Sequence, residues 1–253
     1  MLQKNISIIS LSQLKDNYSY LVLKNKKVII IDPAESTQII QYIKNNQLTL
    51  IAILLTHHHS DHTAGVEKIL ENFSTPVYSS DLNIAHTTNV VKNGDLIDLD
   101  FIEMEVMKTP GHTIDHIIFY SKINHILFSG DTLFRLGCGR VFEGTYEQMF
   151  QSLKKIFLLG NETMVYCGHE YTCNNLDFLI SIFPNYKDLI YEQKKIDSQL
   201  SKTDRSIPFN LGREKIINPF LSTESGIYKI FKKEKNFSDI EMFSYLRDLK
   251  NKF

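Results

Sequence analysis

The chain of 253 residues predicts an α/β layered domain over residues 1–171, followed by a small all-helical domain over residues 172–253. Three observations carry this. Short runs rich in β-branched and aromatic residues alternate with amphipathic segments through the first two-thirds of the chain. From about Thr172 only helical periodicity continues. A carboxylate or an imidazole follows the end of one strand-like run after another, which is how a layered α/β protein gathers a site at one edge of its sheets.

Taken in order, Ile6–Leu11, Tyr18–Lys24 and Val28–Asp32 read as a meander of closely spaced strands. Ser36–Asn46 reads as a helix, and Leu50–Leu55 as a buried strand running into Thr56. Further strands fall at Val77–Ser79, Phe101–Lys108, His116–Tyr120, His125–Ser129 and Met164–Cys167. Thr63–Phe73 and Tyr146–Leu158 carry helical periodicity between them. Beyond Thr172, Leu176–Ile182 and Tyr186–Lys202 read as helices, with Leu189, Ile196 and Leu200 sharing a face. Ser238 and Glu241 stand in capping-box spacing ahead of Ile240, Phe243 and Leu246, marking a last helix.

Composition excludes several classes. With 43% hydrophobic and 23% charged residues the chain has an ordinary globular make-up. A net charge of −1 gives no bulk attraction to nucleic acid or to an anionic membrane. The run Ile6–Leu11 is broken by serines and is followed by Gln13, Lys15 and Asp16, so no export signal is expected. The longest apolar stretch, Leu48–Leu55, is far short of the roughly 18 residues of a membrane span. The three cysteines, Cys138, Cys167 and Cys173, read as reduced thiols of a cytoplasmic protein.

The segment Thr56-His57-His58-His59-Ser60-Asp61-His62 is the most informative. His57 and His59 point the same way if the chain is extended, and Asp61 and His62 lie where it turns toward a helix. So many polar ligands directly after a buried strand are poor core material and suit metal binding. His112, in Thr109-Pro110-Gly111-His112-Thr113, Asp131, in Ser129-Gly130-Asp131-Thr132, and His169, in Cys167-Gly168-His169-Glu170-Tyr171, each follow a strand. The set contains nitrogen and oxygen and no sulfur, which suits zinc, with iron or manganese as alternatives.

The H-x-H-x-D-H run with later His, Asp and His in this order resembles the metallo-β-lactamase superfamily. Thr109–His116, Phe128–Phe134, Gly137–Thr145 and Gly168–Thr172 are similar to glyoxalase II, the hydroxyacylglutathione hydrolase family. The resemblance implies a four-layered αββα sandwich with a helical C-terminal domain. Position by position, it implies that His57, His59 and His112 bind one metal ion and that Asp61, His62 and His169 bind a second. Asp131 would bridge both, and Asp131 and Asp61 would take the catalytic parts. The implied reaction hydrolyses S-D-lactoylglutathione to D-lactate and glutathione, by a hydroxide shared between two metal ions. A thiolate leaves readily, so no separate general acid is nominated. His116 is expected to support the ligands, His58 to sit between two of them unused, and His86 and His125 to be surface or packing residues.

The same resemblance assigns substrate contacts to Arg140, Tyr171, Arg247 and Lys250. Arg247 and Lys250 stand at i and i+3, so both can face one anion. Lys232, Lys233 and Lys235 form a rival basic cluster, read as surface. Phe142, Asp115, Ala34 and Ser222 depart from the family's usual residues and bear on substrate affinity. The expected partner is a small glutathione thioester, with no nucleic acid and no membrane, bound by a monomer. A persulfide dioxygenase or another metallo-hydrolase of the same fold is the alternative; a metallo-nuclease would need a broad basic surface. A cysteine-dependent thioesterase built on Cys167 fails because its neighbour His169 is committed to metal.

Overall fold

A computed structural model describes residues 6–253. The chain divides into two compact units, residues 1–108 with 115–130, and residues 109–114 with 131–253. No helix among the described residues is long and apolar enough to cross a membrane.

The first unit opens with β1 (Ser7–Gln13), β2 (Asn17–Lys24) and β3 (Lys27–Ile31), an antiparallel meander in which Ser7 faces Leu23 and Gln13 faces Asn17. Helix α1 (Thr37–Asn45) crosses to β4 (Thr49–Leu54), which runs parallel to β3. Strands β5 (Val77–Ser79) and β6 (Asn89–Val90) continue in parallel and complete a mixed sheet of order β1-β2-β3-β4-β5-β6. Ile39 and Ile43 of α1, four residues apart on one face, pack with Leu21, Val28, Ile30, Ile53, Val66, Ile69 and Val77. Each such side chain contributes roughly 1.5–3 kcal/mol by leaving water.

Helix α2 (Ser60–Thr63) and helix α3 (Val66–Leu70) replace the single helix expected over 63–73. The break falls at Gly65, whose N–H donates to the Pro33 carbonyl at 2.9 Å, so the chain leaves the helical ladder there. Strands β7 (Leu96–Asp98), β8 (Glu103–Lys108), β9 (Ile117–Ser121) and β10 (Ile126–Gly130) then form an antiparallel meander, with Lys108 opposite Ile117. All of β9 and β10 is buried, which accounts for their continuous apolar character.

In the second unit β11 (Leu133–Phe134) and β12 (Gly137–Cys138) make a short antiparallel hairpin. Helix α4 (Tyr146–Phe157) follows, started by a capping box of Thr145 and Gln148, and then β13 (Met164–Cys167). The remaining elements are α5 (Thr172–Ile182), α6 (Lys187–Thr203), β14 (Phe209–Asn210, paired with β13), α7 (Leu211–Ile217), α8 (Gly226–Lys235) and α9 (Asp239–Lys252). The capping box expected of Ser238 and Glu241 is present at the start of α9. Phe178, Phe220 and Phe243 form an aromatic core, and Phe243 also meets Phe150 of α4 at 5.6 Å.

Candidate metal centre

In the first unit β4 delivers Thr56 and His57, both fully buried, to the edge of its sheet. Thr56 is held from three sides. Its N–H donates to Asp32 Oδ1 at 2.8 Å, its hydroxyl donates to Asp32 Oδ2 at 2.7 Å, and its carbonyl accepts from Ile117 N–H at 2.8 Å. Because that hydroxyl proton is spent on Asp32, the His57 Nδ1 at 3.0 Å must be the donor to Thr56 Oγ1. His62 Nδ1 donates to Asp32 Oδ2 at 3.1 Å. One buried carboxylate therefore sets the tautomer of two histidines and leaves both Nε2 atoms with the lone pair that a metal needs. The rings of His59 and His62 lie 4.7 and 4.2 Å from that of His57. Asn17 Nδ2 donates to Asp61 Oδ2 at 3.0 Å and to the Asp61 carbonyl at 3.1 Å, which orients the fourth side chain of this cluster.

Asp32 was not singled out from the sequence, and neither was Asn17. Asp32 sits at φ +48°, a left-handed conformation that Asp tolerates better than most residues. Gly130 permits the tight contact around Thr56, since a Cβ there would lie 2.7 Å from Thr56 Oγ1 and 2.8 Å from His116 Nε2. His116 is fully buried and its ring stacks on His57 at 4.8 Å, in keeping with a supporting part. His58 is exposed and donates from Nδ1 to Asp115 Oδ1 at 2.9 Å.

In the second unit His112, Asp131 and His169 come together. Asp131 Oδ2 lies 3.3 Å from Nε2 of His112 and 3.3 Å from Nε2 of His169. Two ligand atoms at bond lengths of roughly 2.0–2.2 Å and near-tetrahedral angles stand roughly 3.4 Å apart, so each separation fits a pair of donors to one ion. His112 Nδ1 donates to the Arg140 carbonyl at 2.8 Å, again turning Nε2 toward the carboxylate. Gly139 is required here, because a Cβ would lie 1.9 Å from the Asp131 carbonyl oxygen. Tyr171 stacks on His169, with centroids 4.7 Å apart and planes at 4°, and Phe134 meets the Tyr171 ring edge-on at 5.1 Å. Nitrogen and carboxylate donors, with His57, His62 and His112 held through their Nδ1 atoms, fit divalent metal by their chemistry.

The cations expected to meet substrate are placed differently from one another. Arg140 is exposed, with its guanidinium 5.4 Å from the Phe142 ring. Arg247 is only 5% exposed; its Nη1 donates to the Cys138 carbonyl at 2.8 Å and its Nε to Asn251 Oδ1 at 3.0 Å. Lys250 Nζ donates to the Asn174 carbonyl at 2.8 Å and lies near the rings of Phe178 and Phe253. Burial, with Arg247 nearby, pulls its pKa down to about 8. Lys232 is exposed and paired with Asp239 at 2.6 Å, a surface residue as expected, while the Lys233 side chain lies outside the described residues. Cys138, Cys167 and Cys173 form no disulfide. Cys167 is buried with its thiol directed at the His169 carbonyl, and burial pushes its pKa far up, so it is no nucleophile.

Residues 14–169 match the metallo-beta-lactamase superfamily, and residues 170–253 match the hydroxyacylglutathione hydrolase C-terminus. The chain belongs to the hydroxyacylglutathione hydrolase (glyoxalase II) family of the metallo-β-lactamase superfamily. The hydroxyacylglutathione hydrolase of Wigglesworthia glossinidia brevipalpis is 41% identical over 251 residues, covering 98% of this chain and 99% of its own. That of Klebsiella pneumoniae is 39% identical over 253 residues, covering 98% of this chain and 100% of its own. Among solved structures, ETHE1 from Myxococcus xanthus shares the fold at TM-score 0.65 and 24% identity, over 96% of each chain. TTHA1623 in a di-iron-bound form matches at TM-score 0.55 and 29% identity, over 64% of this chain and 90% of that one. The expected metallo-β-lactamase fold with a helical C-terminal domain is thereby confirmed for this glyoxalase II relative. Its His/Asp clusters suggest metal ions.

Proposed function

We propose that the chain is a hydroxyacylglutathione hydrolase that cleaves S-D-lactoylglutathione to D-lactate and glutathione, with two metal ions held by seven residues. His57, His59 and His112 would hold one ion, Asp61, His62 and His169 the other, and Asp131 would bridge. The reading is supported by His/Asp clusters that could hold a metal ion. The observation that carries it is the Asp131 Oδ2 contact with two Nε2 atoms at equal distance. The di-iron form of TTHA1623 supports a two-ion occupancy, with zinc the default by donor chemistry and iron or manganese the alternatives.

Metal ions bound there would lower the pKa of a water and polarise the thioester carbonyl. The protein's own residues do the rest. Asp32 and Thr56 hold His57 and His62 in the ligating tautomer, Asn17 orients Asp61, and Asp131 would orient the attacking water. Residues 172–253 would contribute Arg247 and Lys250, joined by Arg140, on the carboxylates of glutathione, and Tyr171 would also contact substrate. The names of the curated relatives support a glutathione thioester as substrate. Unpaired thiols support a cytoplasmic setting. Metal-loaded protein should consume S-D-lactoylglutathione with stoichiometric release of glutathione, followed by the loss of thioester absorbance. No turnover by protein with full metal content would contradict the proposal.

A further inference from the structure

The second unit holds a cavity of about 210 Å³ lined by Arg135, Glu192, Lys195, Gln199, Arg213 and Glu214, among others. None of these is a candidate metal ligand or one of the cations assigned to glutathione. Glu192 is 2% exposed and accepts from two guanidinium groups, Arg135 Nη2 at 2.8 Å and Arg213 Nε at 2.9 Å. Burial alone would raise its pKa, but the two arginines outweigh burial and hold it below the ordinary value, so it is ionised. Arg135 spends its other terminal nitrogen on Gln199 Oε1 at 2.9 Å and the Ser206 carbonyl at 2.8 Å. Arg213 does not: its Nη2 is buried and has no hydrogen-bond partner among the described residues.

A single carboxylate therefore serves two arginines, and a third cation, the exposed Lys195, stands at the same cavity. Glu214 adds only part of a second countercharge near neutral pH, since burial pushes its carboxyl up to about 7 against the bonds it accepts from Leu136 N–H and Asn218 Nδ2. We propose that this cavity binds a small oxyanion, a carboxylate or phosphate group, through the Arg213 guanidinium and Lys195 Nζ. A planar guanidinium is the donor that such groups match best. At about 210 Å³ the space is below the roughly 300–1,000 Å³ of sites for larger ligands, so it suits a small anion and not a whole glutathione conjugate.

Metal-loaded protein would be titrated with inorganic phosphate and, separately, with acetate, in chloride at matched ionic strength, following backbone amide resonances. Saturable shifts at Gln199, Asn210 and Arg213 are expected. Tighter binding of phosphate would assign a phosphate-bearing ligand, and tighter binding of acetate a carboxylate-bearing one. Arg213→Lys keeps a positive charge beside Glu192 but removes Nη2, and should raise Kd by about tenfold, the scale of one lost charge-assisted bond. Lys195→Ala lies at an exposed position, should fold normally, and should raise Kd by roughly threefold as a weaker contact. Binding of phosphate at the metal centre would be indifferent to both substitutions. Absence of saturation at these amides, or a Kd unchanged in both variants, would overturn the proposal.

Discussion

The loop from His57 to His62 and the last helix, α9, were both read from the sequence as parts of one site, yet they are built in opposite ways. In the loop, two histidines are bonded on their far side: Asp32 and Thr56 take the Nδ1 atoms of His62 and His57, and the Nε2 atoms stay on the opposite side. In α9 the bonds go to the functional ends themselves. The Arg247 guanidinium is bound to the Cys138 carbonyl, and the Lys250 ammonium to the Asn174 carbonyl. A motif of ligands carries its chemistry in spacing alone, whereas a cation at a helix end can serve the ligand, the fold, or both.

The largest effect that would test this contrast lies at the bridge. Asp131→Ala should lower hydrolysis by at least about a thousandfold while leaving the far-ultraviolet circular dichroism unchanged, because metal-assisted stabilisation is worth several kcal/mol. Near-normal turnover with full metal content would mean that Asp131 has been misassigned.

Next comes the residue behind the ligands. Asp32→Asn removes an acceptor shared by Thr56 and His62 and should weaken metal affinity by about 10–100-fold, measured by competition with a chelator. Unaltered affinity would show that the tautomers are held by something else.

The smaller effects separate the two cations of α9. Arg247→Ala strands the buried Cys138 carbonyl and should cost about 1–3 kcal/mol of unfolding free energy in addition to any rise in KM. Lys250→Ala should mainly raise KM, by about tenfold, at little cost in stability. With its pKa near 8, Lys250 is an ammonium below that value and neutral above it. KM for a glutathione thioester should therefore rise as pH passes through about 8 in the parent protein, and this rise should be absent in Lys250→Ala. A KM unmoved by both substitutions would place the substrate carboxylates elsewhere.

These differences also explain what the sequence made legible. The candidate run His57–His62 was readable because near neighbours supply it, and β5 and β13 were readable from apolar runs bounded by turn residues. Asp32 was not, since its partners Thr56 and His62 lie 24 and 30 residues away and no spacing links them. Helix α8 was hidden by its lysines: Ile227, Tyr228 and Phe231 are buried, while the Lys232 side drew attention as a basic surface. The two-residue strands β6 and β14 have no periodicity to detect and exist only by pairing with β5 and β13. The burial of Arg247 was invisible because Cys138 lies 109 residues away, and the i, i+3 spacing to Lys250 says nothing about what else an arginine meets.

The central claim is that seven side chains, four from the His57–His62 loop and three from His112, Asp131 and His169, hold a pair of metal ions. Metal content by elemental analysis of fully loaded protein tests it most directly. About two ions per chain are predicted, as in two-metal hydrolases, falling in Asp131→Ala as the shared carboxylate is lost. A loaded parent protein with no more than about one ion per chain would contradict the account.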